Sequence, residues 1–160
     1  KLKVVNINKV VTDYVKPLIS SFDDVTIELD KTIEKAFIMA DEKQIRQACS
    51  NLIKNSYENI TLNKIPEGNI SICFGIENDF ASITISDNGT GIDKSIISKI
   101  LEPYYTTKVG NSGLGLAITK KIIDDHNGII LIKPLKGSKG MSVTLKFPLI
   151  SKLKKEINKW

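Results

Sequence analysis

Histidine, arginine and cysteine are nearly absent from this chain, and each scarcity excludes something. Of 160 residues one is histidine and two are cysteine. Cys49 and Cys73 stand in apolar contexts without metal or dithiol spacing, so they read as reduced core thiols, which fits a cytoplasmic compartment. No apolar run approaches the roughly 18 residues of a membrane span, so this domain is expected to make no membrane contact. The start, Lys1-Leu2-Lys3-Val4-Val5-Asn6, has no long apolar segment and no small-residue cleavage site, so no signal peptide is visible. It also lacks an initiating Met, which predicts a piece of a longer protein. The net charge is +5 and the isoelectric point near 9.1. Yet only Arg46 among the 23 basic residues is the arginine that bidentate phosphate and base recognition prefers. The one dense basic run, Lys152-Leu153-Lys154-Lys155, lies in the tail. The charge therefore reads as a solvated surface, with no nucleic-acid partner.

What is there is ordinary globular material, 41% hydrophobic and 26% charged, with mean hydropathy −0.06. The length suits one domain, read as 1–150, followed by a basic tail, 151–160. Asn8 can cap a helix through Val10, Val11, Tyr14, Val15 and Leu18, disturbed late by Pro17. Val25 to Leu29 alternates as a strand, and Lys35 to Ala40 reads as its hairpin partner. Asp41, with Gln44 three positions on, forms a capping box. The long helix that follows buries Ile45, Ala48, Cys49, Leu52, Ile53 and Ser56 at spacings of three and four. Asn69 to Glu77 and Ala81 to Ser86 are strands joined at Glu77-Asn78-Asp79.

Asp93 caps a short helix, Lys94 to Leu101. Residues 102–112 have no apolar period, and irregular chain of that length suits a functional lid. A helix from Gly113 to His126 stops at Asn127-Gly128. Strands Ile129 to Ile132 and Ser142 to Phe147 complete the fold, joined by the turn 137–140. The sum is an α/β two-layer sandwich: a mostly antiparallel, mixed sheet of about five strands on about three helices.

Three glycine and asparagine clusters carry the chemistry. Asn51 and Asn55, four residues apart, share one helical face, offset by about 40°. A side-chain amide oxygen is a hard neutral ligand that suits Mg²⁺, an ion that takes further oxygens from nucleotide phosphates. Asp87 ends an apolar strand and enters Asn88-Gly89-Thr90-Gly91-Ile92. A carboxylate there can accept a hydrogen bond from an exocyclic amine such as adenine's, and the glycines let backbone approach a flat base. Gly113-Leu114-Gly115-Leu116 opens a helix whose free N–H groups favour a di- or triphosphate. Two glycines in a first helical turn cost about 1 kcal/mol each relative to alanine, which argues for a use beyond capping. No Gly-Lys-Ser/Thr follows, and no strand immediately precedes, so neither a Walker loop nor a dinucleotide-binding βαβ unit fits. Each cluster alone is common: an exposed helix edge, a plain turn, a helix start.

Together and in this order, the clusters resemble the ATP-binding catalytic domain of bacterial sensor histidine kinases, in the superfamily shared with gyrase, Hsp90 and MutL. Asn51-Leu52-Ile53-Lys54-Asn55 is similar to the N box, and Asp87 to Gly91 to the first glycine box. Leu101 to Lys108 is similar to the F box, with Tyr104 and Tyr105 where phenylalanines are usual. Gly113 to Leu116 resembles the second glycine box, and Gly140 to Pro148 the closing segment, with Met141 where a small hydroxyl residue is common. The wording of 102–108 and of Lys121 to Gly128 most resembles NtrY-type nitrogen-regulation kinases. The resemblance implies the Bergerat fold and, as cofactors, ATP and Mg²⁺. It implies that Asn55 holds Mg²⁺ across the phosphates, with Asn51 supporting the phosphate side. Asp87 would read the adenine amine in a pocket shaped by Gly89, Gly91 and Ile92. Residues 102–112 would be the ATP lid, with Thr107 and Lys108 toward phosphate, and Gly113, Leu114, Gly115 and Leu116 would complete the phosphate end. The chemistry implied is phosphoryl transfer by positioning and charge neutralisation. The implied partners are a histidine-bearing dimerisation domain of the same protein and a response regulator.

Two other readings stay open. An ATPase of the gyrase or MutL kind needs a water-activating carboxylate where this chain has Asn51, and an amide cannot be that base. A non-catalytic nucleotide-dependent binding module is the other. His126, the sole histidine, is followed by Asn127-Gly128 at a helix end. It reads as structural, which puts the phosphoacceptor outside this chain.

Overall fold

In the computed structural model the structure describes residues 1–30, 35–106, 113–135 and 139–151. The elements are β1 (Lys3–Asn6), α1 (Ile7–Val15), β2 (Val25–Leu29), β3 (Phe37–Ala40), α2 (Glu42–Leu62), β4 (Gly68–Glu77), β5 (Phe80–Asp87), α3 (Gly115–Asp125), β6 (Ile129–Pro134) and β7 (Met141–Pro148). A five-stranded sheet runs β2-β4-β5-β7-β6. Its β2–β4 pairing is parallel and the other three are antiparallel. With three α-helices over it, this is the two-layer sandwich that the apolar periods predict.

Period-2 alternation decides what faces the helices. In β5, Ala81, Ile83 and Ile85 point inward, and the same alternation delivers Asp87 to that buried side. Ile70, Ile72, Val143, Leu145 and Phe147 join them from β4 and β7. Ile45, Ala48, Cys49, Leu52, Ile53, Ser56 and Ile60 form the inward stripe of α2. Burial in this apolar setting pushes the Cys49 thiol up to about 12, so it is an inert core group.

Several local expectations are corrected. Lys35 to Ala40 is not the hairpin partner of Val25 to Leu29: β3 pairs antiparallel with β1, from Lys3↔Ala40 to Asn6↔Phe37. The edge of β2 is taken instead by β4, in parallel register from Val25↔Gly68 to Leu29↔Ile72. Strand β1 escapes a periodicity reading because it is four residues long and turns only Val5 fully inward. The first helix ends at Val15 and continues as a 3₁₀ turn at Lys16–Leu18, where Pro17 removes an N–H donor. The expected helix 94–101 is two 3₁₀ turns, Lys94–Ile96 and Lys99–Leu101, the first capped by Asp93, which accepts from the Ser95 N–H at 2.8 Å.

The cap of α2 is also rebuilt. Asp41 Oδ1 accepts from the Lys43 N–H at 3.0 Å. Its own backbone N–H goes to His126 Nε2 at 3.2 Å, the position a capping-box Gln44 would have filled. Both site helices then end in the same way. Lys64 and Asn127 adopt left-handed backbone, φ 50° and 52°. Ile65 N–H bonds the Ile60 carbonyl, and Gly128 N–H bonds that of Ile123, closing Schellman motifs.

Candidate nucleotide site

Helix α2 supplies one wall of a cleft of about 1040 Å³. Asn51, Asn55, Asn59 and Asn63 all line it, each four residues after the last, so the pair expected from sequence is the first half of an amide ladder. Over twelve residues the ladder spans about 18 Å of helix, the length of an extended nucleotide. The opposite wall comes from Gly113, Leu114, Gly115, Leu116 and Ile118, and the far end from Thr90, Gly91, Ile92, Ile96, Ile100 and Met141. A cleft of this size lies at the upper end of the range that small-molecule and cofactor sites span.

Asn51 is tied to the start of α3. Its Nδ2 donates to the Gly115 carbonyl at 3.1 Å and to Thr119 Oγ1 at 3.4 Å. Gly115 lies close enough that a β-carbon there would stand 3.9 Å from the amide nitrogen of Asn55. Asn55 therefore sits where the helix start and the amide ladder meet. Leu114 caps α3 without a side-chain bond to its first N–H groups, which leaves the positive helix end turned to the cleft.

Gly113 precedes the helix at φ +70°, and a β-carbon on it would lie 2.6 Å from the Tyr104 carbonyl carbon and the Tyr105 oxygen. Only glycine fits there. The expectation that the helix begins at Gly113 is thus corrected to Gly115. Tyr104 is 77% exposed and itself at φ 65°. Thr107 and Lys108, with the rest of 107–112, lie outside the described residues.

At the other end Asp87 is 3% exposed. Ser56 donates its hydroxyl to Oδ2 at 2.9 Å, and the Gly89 N–H donates to Oδ1 at 3.0 Å. Burial raises the Asp87 pKa above its ordinary 3.8, and the bonds from Ser56, Gly89, Asn59 and Met141 pull back against it. Asn88 holds the turn from behind: its Oδ1 accepts from the Asn69 N–H at 2.8 Å and its Nδ2 donates to the Glu67 carbonyl at 2.9 Å. Gly140, at φ +145°, lets β7 enter beside this turn, since a β-carbon on it would stand 2.2 Å from the Asp87 carbonyl oxygen.

The structure thus gathers Asn51, Asn55, Gly91, Ile92, Gly113, Leu114, Gly115 and Leu116 around one cleft. Asp87 and Gly89 do not line it and lie behind Asn59 and Thr90, which do. The sequence reading missed Asn59, Asn63 and Thr90, and gave Ser56 no partner. A signal existed for two of them, because the asparagine spacing continues past Asn55. Lys54 and Glu58 also line the cleft, paired at 3.8 Å. His126 lies elsewhere, 5% exposed, with Nδ1 on the Ile122 carbonyl at 2.7 Å. Because Nε2 accepts from Asp41, Nδ1 carries the proton.

A sandwich that sets a deep cleft between its helices and one end of its sheet is the architecture of histidine kinase catalytic domains. Residues 40–151 match the family of histidine kinase-, DNA gyrase B- and HSP90-like ATPases, and the chain belongs to that family as an ATP-binding domain. A putative sensor histidine kinase NtrY-like of Rickettsia conorii is 34% identical over 127 residues, 79% of this chain and 21% of that protein. Sporulation kinase B of Bacillus subtilis is 36% identical over 129 residues, 81% of this chain and 29% of that protein. The chain thus spans under a third of either curated relative. The catalytic domain of histidine kinase ThkA superposes with a TM-score of 0.77 at 25% identity, covering 93% of this chain and 96% of that one. ThkA is also known in complex with response regulator protein TrrA, where the match has a TM-score of 0.75 at 22% identity, over 92% of this chain and 42% of that one.

Proposed function

We propose that this domain binds Mg-ATP and presents the γ-phosphate to a histidine on a dimerisation domain outside this chain, for relay to a response-regulator aspartate. The observation that carries this reading is one cleft with a buried carboxylate behind one end and an uncapped helix start at the other. Asp87 would accept from the adenine amine, and the N–H groups of α3 would meet the phosphates. The cleft is apolar at the base end, with Ile92, Ile96, Ile100 and Met141 able to pack on a flat ring.

The donor set suits Mg²⁺ held chiefly by substrate phosphates. Among the described residues no group of three or more His, Cys, Asp or Glu could hold a metal. Asn55 offers one neutral oxygen, as expected of an ion that keeps waters and phosphate oxygens. When bound, Mg²⁺ would neutralise charge on the phosphates. Asn51 would hold α3 and its N–H groups in place. Its amide has no proton-accepting role, which favours transfer to another domain over hydrolysis of ATP.

His126 supports an acceptor elsewhere, since both ring nitrogens are engaged, Nε2 by the Asp41 N–H and Nδ1 by the Ile122 carbonyl of its own helix. Assembly of ThkA with a response regulator makes relay to such a partner the natural continuation here. No helix among the described residues is long and apolar enough to cross a membrane, and we place this domain on the cytoplasmic side of its parent protein. The deciding experiment combines this chain, labelled ATP and a separately made dimerisation domain carrying the histidine. Label on that histidine is expected. Free phosphate alone would instead select an ATPase, and metal-dependent binding without either product a non-catalytic module.

A further inference from the structure

Asp87 lies behind the base end of the cleft with a donor already on each carboxylate oxygen. Two donors are fixed: the Ser56 hydroxyl on Oδ2 and the Gly89 N–H on Oδ1. The Asn59 side-chain amide lies close by on the cleft side: its nitrogen and Asp87 Oδ1 both crowd the point where a β-carbon on Gly89 would stand. Asp87 itself is not part of the cleft lining, whereas Asn59 and Thr90 are, so these two side chains stand between the cleft and the carboxylate. Asn59 is thus the side chain on the cleft wall that stands nearest this turn. Ser56 is buried in the helix stripe, and the Gly89 donor is backbone.

The opposite end of the Asn59 amide is engaged as well. Its Oδ1 accepts from Thr90 Oγ1 at 3.0 Å and from Asn63 Nδ2 at 3.0 Å. These partners fix the orientation of the amide, because only its NH₂ end can face a carboxylate. The nitrogen lies hard against the turn: a β-carbon on Gly89 would stand 2.3 Å from Asn59 Nδ2 and 2.8 Å from Asp87 Oδ1. A carboxamide is a flat group with a donor NH₂ beside an acceptor. The edge of a 6-aminopurine has the same pattern, an exocyclic amine beside a ring nitrogen.

We propose that Asn59 is an internal competitor for the base end of the cleft, filling Asp87 and Thr90 with the donor and acceptor that an aminopurine edge presents. This rests on reading the cleft as an ATP site. A nucleotide then exchanges one donor on Asp87 for another and gains little from that bond itself. Its net affinity comes from ring packing and phosphate contacts. The displaced amide acts as a tax on binding, lowering apparent affinity by the fraction of protein in which Asn59 has turned aside. That tax belongs to the free protein, so it falls equally on every base that needs the space.

The sign of one measurement separates this from a clamp that merely holds α2 to the turn. Asn59→Ala and Asn59→Ser, both too short to reach Asp87, are titrated calorimetrically with Mg-ATP and with purine riboside triphosphate, which lacks the amine. Removing one net hydrogen bond of competition should tighten ATP binding about 5-fold in both variants. The second nucleotide should gain by the same factor. Unchanged or weaker ATP binding in folded variants, with measurable binding by the natural chain, overturns the competitor, as does a gain confined to ATP. No binding of either nucleotide by any of the three proteins overturns the ATP reading itself. If the variants do not fold, the assigned side-chain NH₂ signals of Asn59 in the natural chain decide. They should shift on ATP addition, and unmoved signals during ATP binding would overturn the proposal.

Discussion

Ser56 on α2 donates its hydroxyl to Asp87 Oδ2 at 2.9 Å, across 31 positions of sequence. Both residues sit where an apolar side chain belongs by period, Ser56 in the buried stripe of the helix and Asp87 on the inward face of β5. A hydroxyl and a carboxylate in a core are tolerated only together. The site is built by placing one polar residue into each of two otherwise apolar patterns, where they meet.

Replacing Asp87 by Asn turns an acceptor into a group whose NH₂ faces the donors of Ser56 or Gly89. ATP binding should weaken by about 10-fold, as read by calorimetry, because the adenine amine can only donate and then meets another donor, whereas the Asn59 amide can turn its oxygen toward it. Acidification should act similarly. Burial raises the folded pKa of Asp87 above 3.8, so the folded state holds this proton more tightly than the unfolded one. At this group, raising the pH from the unfolded value through the raised folded value therefore costs stability. Ligand reading runs the other way, because an amine needs the ionised carboxylate. Adenosine affinity should fall as the pH drops through that folded value, and the fall should vanish in Asp87→Asn. An identical pH profile in the two proteins would remove Asp87 from the base end.

Asn55→Ala tests the phosphate end separately. Mg²⁺ should strengthen ATP binding by the natural chain, and that enhancement should shrink at least about tenfold in the variant, while metal-free affinity changes little. Titrations with and without Mg²⁺ measure the ratio directly. A full Mg²⁺ effect in Asn55→Ala would show that the ion is held elsewhere.

Gly113→Ala asks whether the neck between Tyr105 and α3 is as tight as it looks. The new β-carbon would meet backbone of Tyr104 and Tyr105 at 2.6 Å, at a φ that L-residues disfavour by about 1–2 kcal/mol. Tm should fall by about 2–8 °C for a chain of this size, and ATP affinity should fall with it. A variant with unchanged melting and binding would mean that this neck carries no constraint.

The parts of this site legible in the sequence are those whose geometry is local. Asn51 and Asn55 share a face by helical arithmetic, Asp87 closes a strand at a turn, and Gly113 to Leu116 stand at a helix start. The five-stranded sheet follows from alternation in the same way. What escaped depends on partners far apart in the chain. Strand β3 looks like the neighbour of β2 until β1, four residues at the start of the chain, takes its edge. The parallel β2–β4 pairing has no local signature, because the strands are joined through β3 and α2. Asn59 and Thr90 meet across 31 positions, and neither residue type announces a role alone. Asn59 was within reach through the repeated spacing, Thr90 only through the fold.

The contact between His126 and Asp41 acquires its meaning alongside that between Asn51 and Gly115. The first joins the end of α3 to the start of α2, and the second joins the start of α3 to the middle of α2. Two antiparallel helices are thereby fastened at two points about 15 Å apart along their axes, and two fasteners fix both sliding and twist. The helices behave as a single plate. A ligand entering between them has no helix to order and loses little entropy on that side. Any adjustment to a ligand is therefore expected outside this plate, at the neck where Gly113 abuts Tyr104 and Tyr105.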